Sequence, residues 1–191
     1  FEPHWEKFTI EAIEGDRIKL TEPLRFDHLG ARDVDGTPTV MEDGTRFLPH
    51  VANLTRNVVF RSENTDGVRG HALFLHRAQK DVRYVRFQDL GRTEAAPINN
   101  GARDSDGNVT ALGTNQIGRY SDHNHHVWGP VGGLAAPAGE GRTHYQMITI
   151  GNSIDGVLKW GTTIHDTHYS LTRRQCLLRR GWGSVGHGGW K

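Results

Sequence analysis

Short β-type runs recur along this chain, and no stretch sustains a 3.6-residue apolar period over more than two helical turns. Asn57-Val58-Val59-Phe60-Arg61, Gly70-His71-Ala72-Leu73-Phe74-Leu75 and Val82-Arg83-Tyr84-Val85-Arg86-Phe87, read as one alternating run, come first. Tyr145-Gln146-Met147-Ile148-Thr149-Ile150, Gly156-Val157-Leu158-Lys159-Trp160, Thr162-Thr163-Ile164-His165 and His168-Tyr169-Ser170-Leu171 follow. Gly, Asn and Asp punctuate the gaps, so the expectation is an all-β fold. Phe8 to Leu20, with Glu14-Gly15-Asp16 between two alternating runs, reads as a hairpin. Residues 27–50 have no sustained period and read as an irregular surface excursion.

Two architectures suit such runs, a sandwich and a parallel β-helix of stacked short strands. The gaps vary widely and lack paired-hairpin turn signals, which favours the β-helix. Asp81 to Val85 and Asn152 to Val157 read as corners leading into the next rung. Residues 92–117 and 129–143 read as long loops, which in compact β domains tend to carry function.

The 191 residues suit one domain or a piece of a larger one. Lys+Arg 23 balance Asp+Glu 22, and no basic stripe interleaves with aromatics, so nucleic acid is not the expected partner. No apolar run nears the roughly 20 residues of a membrane span. The chain opens at Phe1-Glu2-Pro3-His4-Trp5 without an initiator Met and reads as an internal fragment. Its one cysteine, Cys176, excludes an internal disulfide framework.

The two long loops bracket Gly118-Arg119-Tyr120-Ser121-Asp122-His123-Asn124-His125-His126. As an extended strand it places Arg119, Ser121, His123 and His125 on one face and Tyr120, Asp122, Asn124 and His126 on the other. Neither face is apolar, which points to a site; a solvated loop with chance histidines is the plain alternative.

Asn53-Leu54-Thr55-Arg56-Asn57-Val58-Val59, Gly70-His71-Ala72, Gly118-Arg119-Tyr120-x-x-His123-x-His125 and Trp160-Gly161-Thr162-Thr163-Ile164-His165-Asp166-Thr167-His168-Tyr169 occur in that order. Together they resemble the G-eight-domain proteins with a right-handed parallel β-helix. That family includes hyaluronan-binding proteins, a transmembrane hyaluronidase, fibrocystin-like proteins and bacterial members. The resemblance covers roughly residues 8–173 and departs from the family pattern at Ser121, Asp122 and Asn124. It implies the end of a G-eight-type β domain over 1–61 and parallel β-helix coils over 62–173. It also implies an extracellular or cell-surface location and an acidic polysaccharide as partner, hydrolysed in a hyaluronidase-like manner or bound. A non-catalytic binding or adhesion module and a polysaccharide lyase are the alternatives. After Arg173 the chain turns rich in Arg, Gly and Trp, and residues 174–191 read as an aberrant tail from a shifted reading frame.

The candidate catalytic residues are Arg119, Asp122, His123, His125 and His165. Histidines supply general acid or base, Arg119 a fork for a uronate carboxylate, and Asp122 a general acid or an orienting group. Glycoside hydrolysis commonly takes two carboxyl groups, and Asp89, Asp104, Asp106, Asp155 and Asp166 are the possible partners. His71, Tyr120, Trp128 and Trp160 are candidate substrate contacts, the aromatics by stacking on sugar rings. The cofactor is open: a divalent cation, either zinc at His123, His125 and His165 or calcium. Asp104-Ser105-Asp106-Gly107-Asn108 has a calcium-loop spacing but lacks the downstream Glu, so an acidic turn is the expectation there. A stacked polar ladder, with no ligand, is the alternative for the histidines.

Overall fold

The computed structural model describes residues 5–129, 134–135 and 144–179. The chain divides into two compact units, Phe1–Val51 and Ala52–Lys191. Among the described residues every regular element is a β-strand. No helix there is long and apolar enough to cross a membrane, which leaves strand-built spans unaddressed.

In the first unit β1 (Ile10–Glu14) and β2 (Arg17–Leu20) pair antiparallel. Gly15, at φ 62°, makes the expected turn. Beyond it, isolated antiparallel bridges join Arg32 to Pro38 and Val40 to Arg46, matching the irregular reading of residues 27–50.

The second unit returns repeatedly to three parallel sheets. The chain passes through β3 (Val58–Arg61), β4 (Ala72–His76), β5 (Lys80–Arg83) and β6 (Val85–Gln88). An antiparallel hairpin, β7 (Asn99–Arg103) and β8 (Val109–Asn115), then leaves the sheets. β9 (Asp122–Val127) returns, and a short antiparallel pair follows, β10 (Leu134–Ala135) with β11 (His144–Tyr145). β12 (Met147–Ile150), β13 (Ser153–Val157), β14 (Thr162–His165), β15 (Ser170–Arg173) and β16 (Cys176–Arg179) complete the order. The first sheet is β16-β13-β6-β3, the second β14-β9-β4 and the third β15-β12-β5. Setting the two antiparallel pairs aside, consecutive strands visit first, second and third sheets in strict rotation.

Corners make that rotation possible. Tyr84 at φ 55°, Gly151 at φ 65° and Arg174 at φ 52° take the chain from third sheet to first. His76 at φ 54°, His126 at φ 50° and Asp166 at φ 42° take it from second to third. One left-handed residue turns the chain sharply within a residue or two, at a cost of order 1–3 kcal/mol for a non-glycine that the packing must offset. Tyr84 therefore splits the run Val82–Phe87, which reads as one strand in the sequence, into β5 and β6. The Tyr84 ring covers Gly151 so closely that a Cβ there would meet its Cε1 at 2.5 Å.

The interior is apolar in part. Phe87, Leu90, Ile154 and Val157 cluster, with Ala72, Val82 and Val85 packed against them. The central strands β12 and β13 are buried nearly throughout, as expected of strands paired on both sides. Amides bridge successive strands: Asn152 donates to the Val82 carbonyl, Gln146 to those of Arg77 and Ala78, and Gln175 to that of Thr149. Two sequence readings shift here. Ser153 to Val157 is strand β13 rather than a corner, because Ile154 fills the core while Asp155 pairs with Arg86. Residues 174–179 continue the rotation as a corner and β16, parallel to β13. The remainder of the expected tail, 180–191, and most of the loop at 129–143 lie outside the described residues.

Candidate functional site

The candidate site is the second sheet and the segments that lead into it. In β9 side chains alternate, Asp122 and Asn124 inward, His123 and His125 outward. His126 should follow Asn124 inward, but its left-handed backbone turns it out beside His125, and Val127, fully buried, resumes the interior. The expected pairing of faces is thus corrected at its end.

Inside, Lys80 donates to Asp122 Oδ1 at 2.5 Å and Asn124 Oδ1 at 3.1 Å, with its ammonium 4.5 Å from the Phe74 ring centroid. Lys80 and Asp122 are 1% and 0% exposed. Burial outweighs the attraction of Asp122 and holds the Lys80 ammonium below its ordinary value. Asp122 therefore does not stand with the catalytic candidates: strand alternation puts it on the opposite face, sealed against a lysine from β5. Its Oδ2 and the Ser121 hydroxyl have no hydrogen-bond partner among the described residues.

Outside, parallel pairing sets His165 of β14 directly beside His125 of β9, and Thr163 beside His123. The His125 and His165 rings stack at 4.9 Å and 10°, Nδ1 to Nδ1 at 3.0 Å. His126 packs edge-on against His125 at 4.1 Å. Asp166 Oδ2 lies 3.6 Å from His126 Nε2 and 3.7 Å from His165 Nε2. His125 is held below the ordinary imidazole value, by burial first and then by His126, His123 and His165; Asp166 opposes this. His123 is 6% exposed, its Nδ1 at 2.9 Å from the Gly118 carbonyl and its ring against Tyr120. It supports the face from beneath rather than joining the group His125, His126 and His165, whose ligand atoms lie within 4.8 Å of one another.

Next to His123 stands a cationic group. The Arg119 backbone N–H donates to Thr93 Oγ1, and its carbonyl accepts from Arg92 and Thr93. This brings Arg119 beside Arg92. The Arg92 guanidinium donates to Gln116 Oε1 and the Arg69 carbonyl and reaches His71 Nδ1 at 3.5 Å. Burial, then Arg92, Arg119 and His123, push the His71 imidazole down. Burial and Arg119 likewise lower Arg92. Among the described residues the charges acting on His71 and Arg92 are positive, and Asp122, an acid that acts on His123, does so from the inward face.

The aromatic candidates separate. Trp128 is 56% exposed and tilts over His76 at 6.1 Å. Tyr120 is buried and packs 4.8 Å from the half-buried Trp160, so it underlies the face rather than meeting a ligand. Of the candidate carboxylates, Asp155 holds Arg86 through two bonds of 2.9 and 2.8 Å. Asp104 caps the β7–β8 turn by accepting from Asp106 N, Asn108 N and Asn108 Nδ2, the expected acidic turn. Asp166 is the carboxylate placed beside the imidazoles. Sequence reasoning missed Arg92, which no motif signals, and set His126 on the wrong face.

Fold and site together define an all-β protein of parallel sheets with an imidazole- and guanidinium-lined outer face. No protein-family description matches the sequence, and no solved structure does. Two G8 domain-containing proteins of Dictyostelium discoideum are similar. One is 38% identical over 74 residues, which is 37% of this chain and 6% of that protein. The other is 32% identical over 74 residues, 39% of this chain and 4% of that protein. The match thus spans under a tenth of either relative's length, and it links the chain to G8 domain-containing proteins.

Proposed function

We propose that this chain is part of an exported protein that binds acidic polysaccharide, with the second sheet of a right-handed parallel β-helix as its binding face. The rotation of strands among three parallel sheets supports the β-helix, and crossovers between parallel strands are right-handed in nearly all proteins. The observation that carries the binding reading is the convergence of Arg92, Arg119 and His71, with Arg92 3.5 Å from His71 and bonded through its backbone to Arg119, and with no acid among the described residues that act on His71 and Arg92. Such a group is a poor structural ion pair and a good receptor for a carboxylate, which would relieve the mutual repulsion of the cations. Exposed Trp128, at the end of β9, offers a face for a sugar ring.

Hydrolysis is the second reading, favoured by Asp166 against His126 and His165. It replaces Asp122 with Asp166 as the acid. Hyaluronan, chondroitin sulfate and neutral dextran are incubated with the chain, following retention, chain length and ultraviolet absorbance. Retention of the acidic polymers without shortening supports binding. Shortening without new absorbance adds hydrolysis, and shortening with it means a lyase. Equal retention of dextran overturns the acidic-ligand reading.

A further inference from the structure

The three outward imidazoles do something that sugar recognition does not require. His125 and His165 meet through like atoms, Nδ1 to Nδ1 at 3.0 Å. One proton between two such nitrogens makes a single hydrogen bond. One cation between them makes two ligand bonds. Zinc–imidazole bonds are about 2.0–2.1 Å long, which sets neighbouring nitrogens of a tetrahedral ion about 3.4 Å apart. The present separation needs little movement to reach that. His126, turned outward by its φ of 50°, closes the third side: its ring lies 4.1 Å from that of His125 and 5.3 Å from that of His165. The 4.8 Å limit on the group closes by small rotations of half-exposed rings. Asp166 Oδ2 lies 3.7 Å from Nε2 of His165, the nitrogen turned away from His125. A carboxylate in that place commonly orients a metal-bound imidazole and fixes its tautomer. The backbone is strained at both His126 and Asp166, and strained non-glycine residues cluster at functional sites.

We propose that His125, His126 and His165 form a binding site for a divalent transition-metal ion of the zinc class, with Asp166 orienting His165. Three imidazoles suit zinc, copper, nickel or cobalt and do not suit calcium or magnesium. The set differs from the one the sequence suggests: His126 replaces His123, whose Nδ1 is engaged by the Gly118 carbonyl. Three protein ligands leave a position for water or a ligand oxygen, the arrangement of open rather than structural sites. The proposal does not depend on what the Arg92–Arg119–His71 group binds.

The test uses the full chain stripped with chelator and titrated with Co(II), then Zn(II). The expected result is one ion per chain, visible Co(II) bands of a four- or five-coordinate nitrogen and oxygen set, and loss of those bands on adding zinc. His126→Ala and His165→Ala should each weaken binding more than a hundredfold. Asp166→Asn should weaken it about ten- to a hundredfold, and His50→Ala in the first unit should leave it unchanged. In the unaltered chain, zinc should protect His125, His126 and His165, but not His50, from acylation by diethyl pyrocarbonate. No saturable binding, or binding unaffected by His126→Ala and His165→Ala, overturns the proposal. Absence of zinc protection at the three histidines does so without any variant.

Discussion

Asp122 and His125 sit three residues apart on one strand, yet strand alternation sends them to opposite environments. Inward, Asp122 meets Lys80 and Asn124 in a sealed polar knot within a partly apolar interior. Outward, His125 meets His126 and His165 at the surface. Charge on the inner face has its partner supplied by a neighbouring sheet. The outer face sets imidazoles beside Asp166 and the guanidinium groups of Arg92 and Arg119 beside His71, none of them sealed from solvent as Lys80 and Asp122 are. A buried ion pair is therefore evidence about folding, and a convergence of half-exposed imidazoles and guanidinium groups is evidence about ligands.

The comparison breaks most sharply at Lys80. Lys80→Met leaves Asp122 buried and unpaired, and should cost about 3–5 kcal/mol in urea unfolding. Lys80→Met with Asp122→Leu should recover most of that; a double variant as unstable as the single one would mean the knot is not a closed pair. Arg119→Ala should leave unfolding unchanged and weaken hyaluronan retention by about 1.5–3 kcal/mol, the range for hydrogen bonds to charged groups. Loss of stability instead would make Arg119 an inner-face residue in disguise. Gly151→Ala, a strained corner beneath the Tyr84 ring, should destabilise by about 1–3 kcal/mol without touching retention.

The smallest effect is a pH dependence at His71. Its folded-state pKa lies below the ordinary value near 6.5, so the unfolded chain binds the proton more readily between the two. Stability should rise with pH through that window and fall as pH drops below about 6.5. A bound carboxylate favours the protonated ring, so retention of hyaluronan should strengthen over the same fall. Titrating both quantities checks the opposed slopes; His71→Gln should flatten the retention slope and lessen the stability slope, to which His123 and His125 also contribute.

Much of this was legible in the residues. Thr162 to His165 is a strand from end to end, and the Gly15 turn lies where a hairpin needs it. The all-β class follows from the missing helical period. Face assignment failed where the backbone leaves the strand region: nothing in the letters His125-His126 says that the second residue adopts a left-handed conformation. Tyr84 hid a corner because an aromatic between β-type residues reads as strand, although the adjacent apolar pair Tyr84-Val85 breaks the alternation there. Asp122 was misplaced because its partner, Lys80, lies 42 residues away on another sheet, and pairing at that distance leaves no local trace. Arg92 joins Arg119 through loop hydrogen bonds that no motif announces.

The spacing of the rungs has a consequence for heredity. Met147 stands opposite Ser170 and Ser153 opposite Cys176, 23 residues on in each case (170 − 147 and 176 − 153). Between β6 and β9 the chain instead takes in the whole β7–β8 hairpin and still returns to the second sheet. A lineage could therefore gain or lose a long segment at such a corner and keep every ligand in place. A single codon added within β9 would do the reverse, exchanging the inner and outer rows downstream of it. For a chain built this way, the harm done by an insertion depends on its address, not its length.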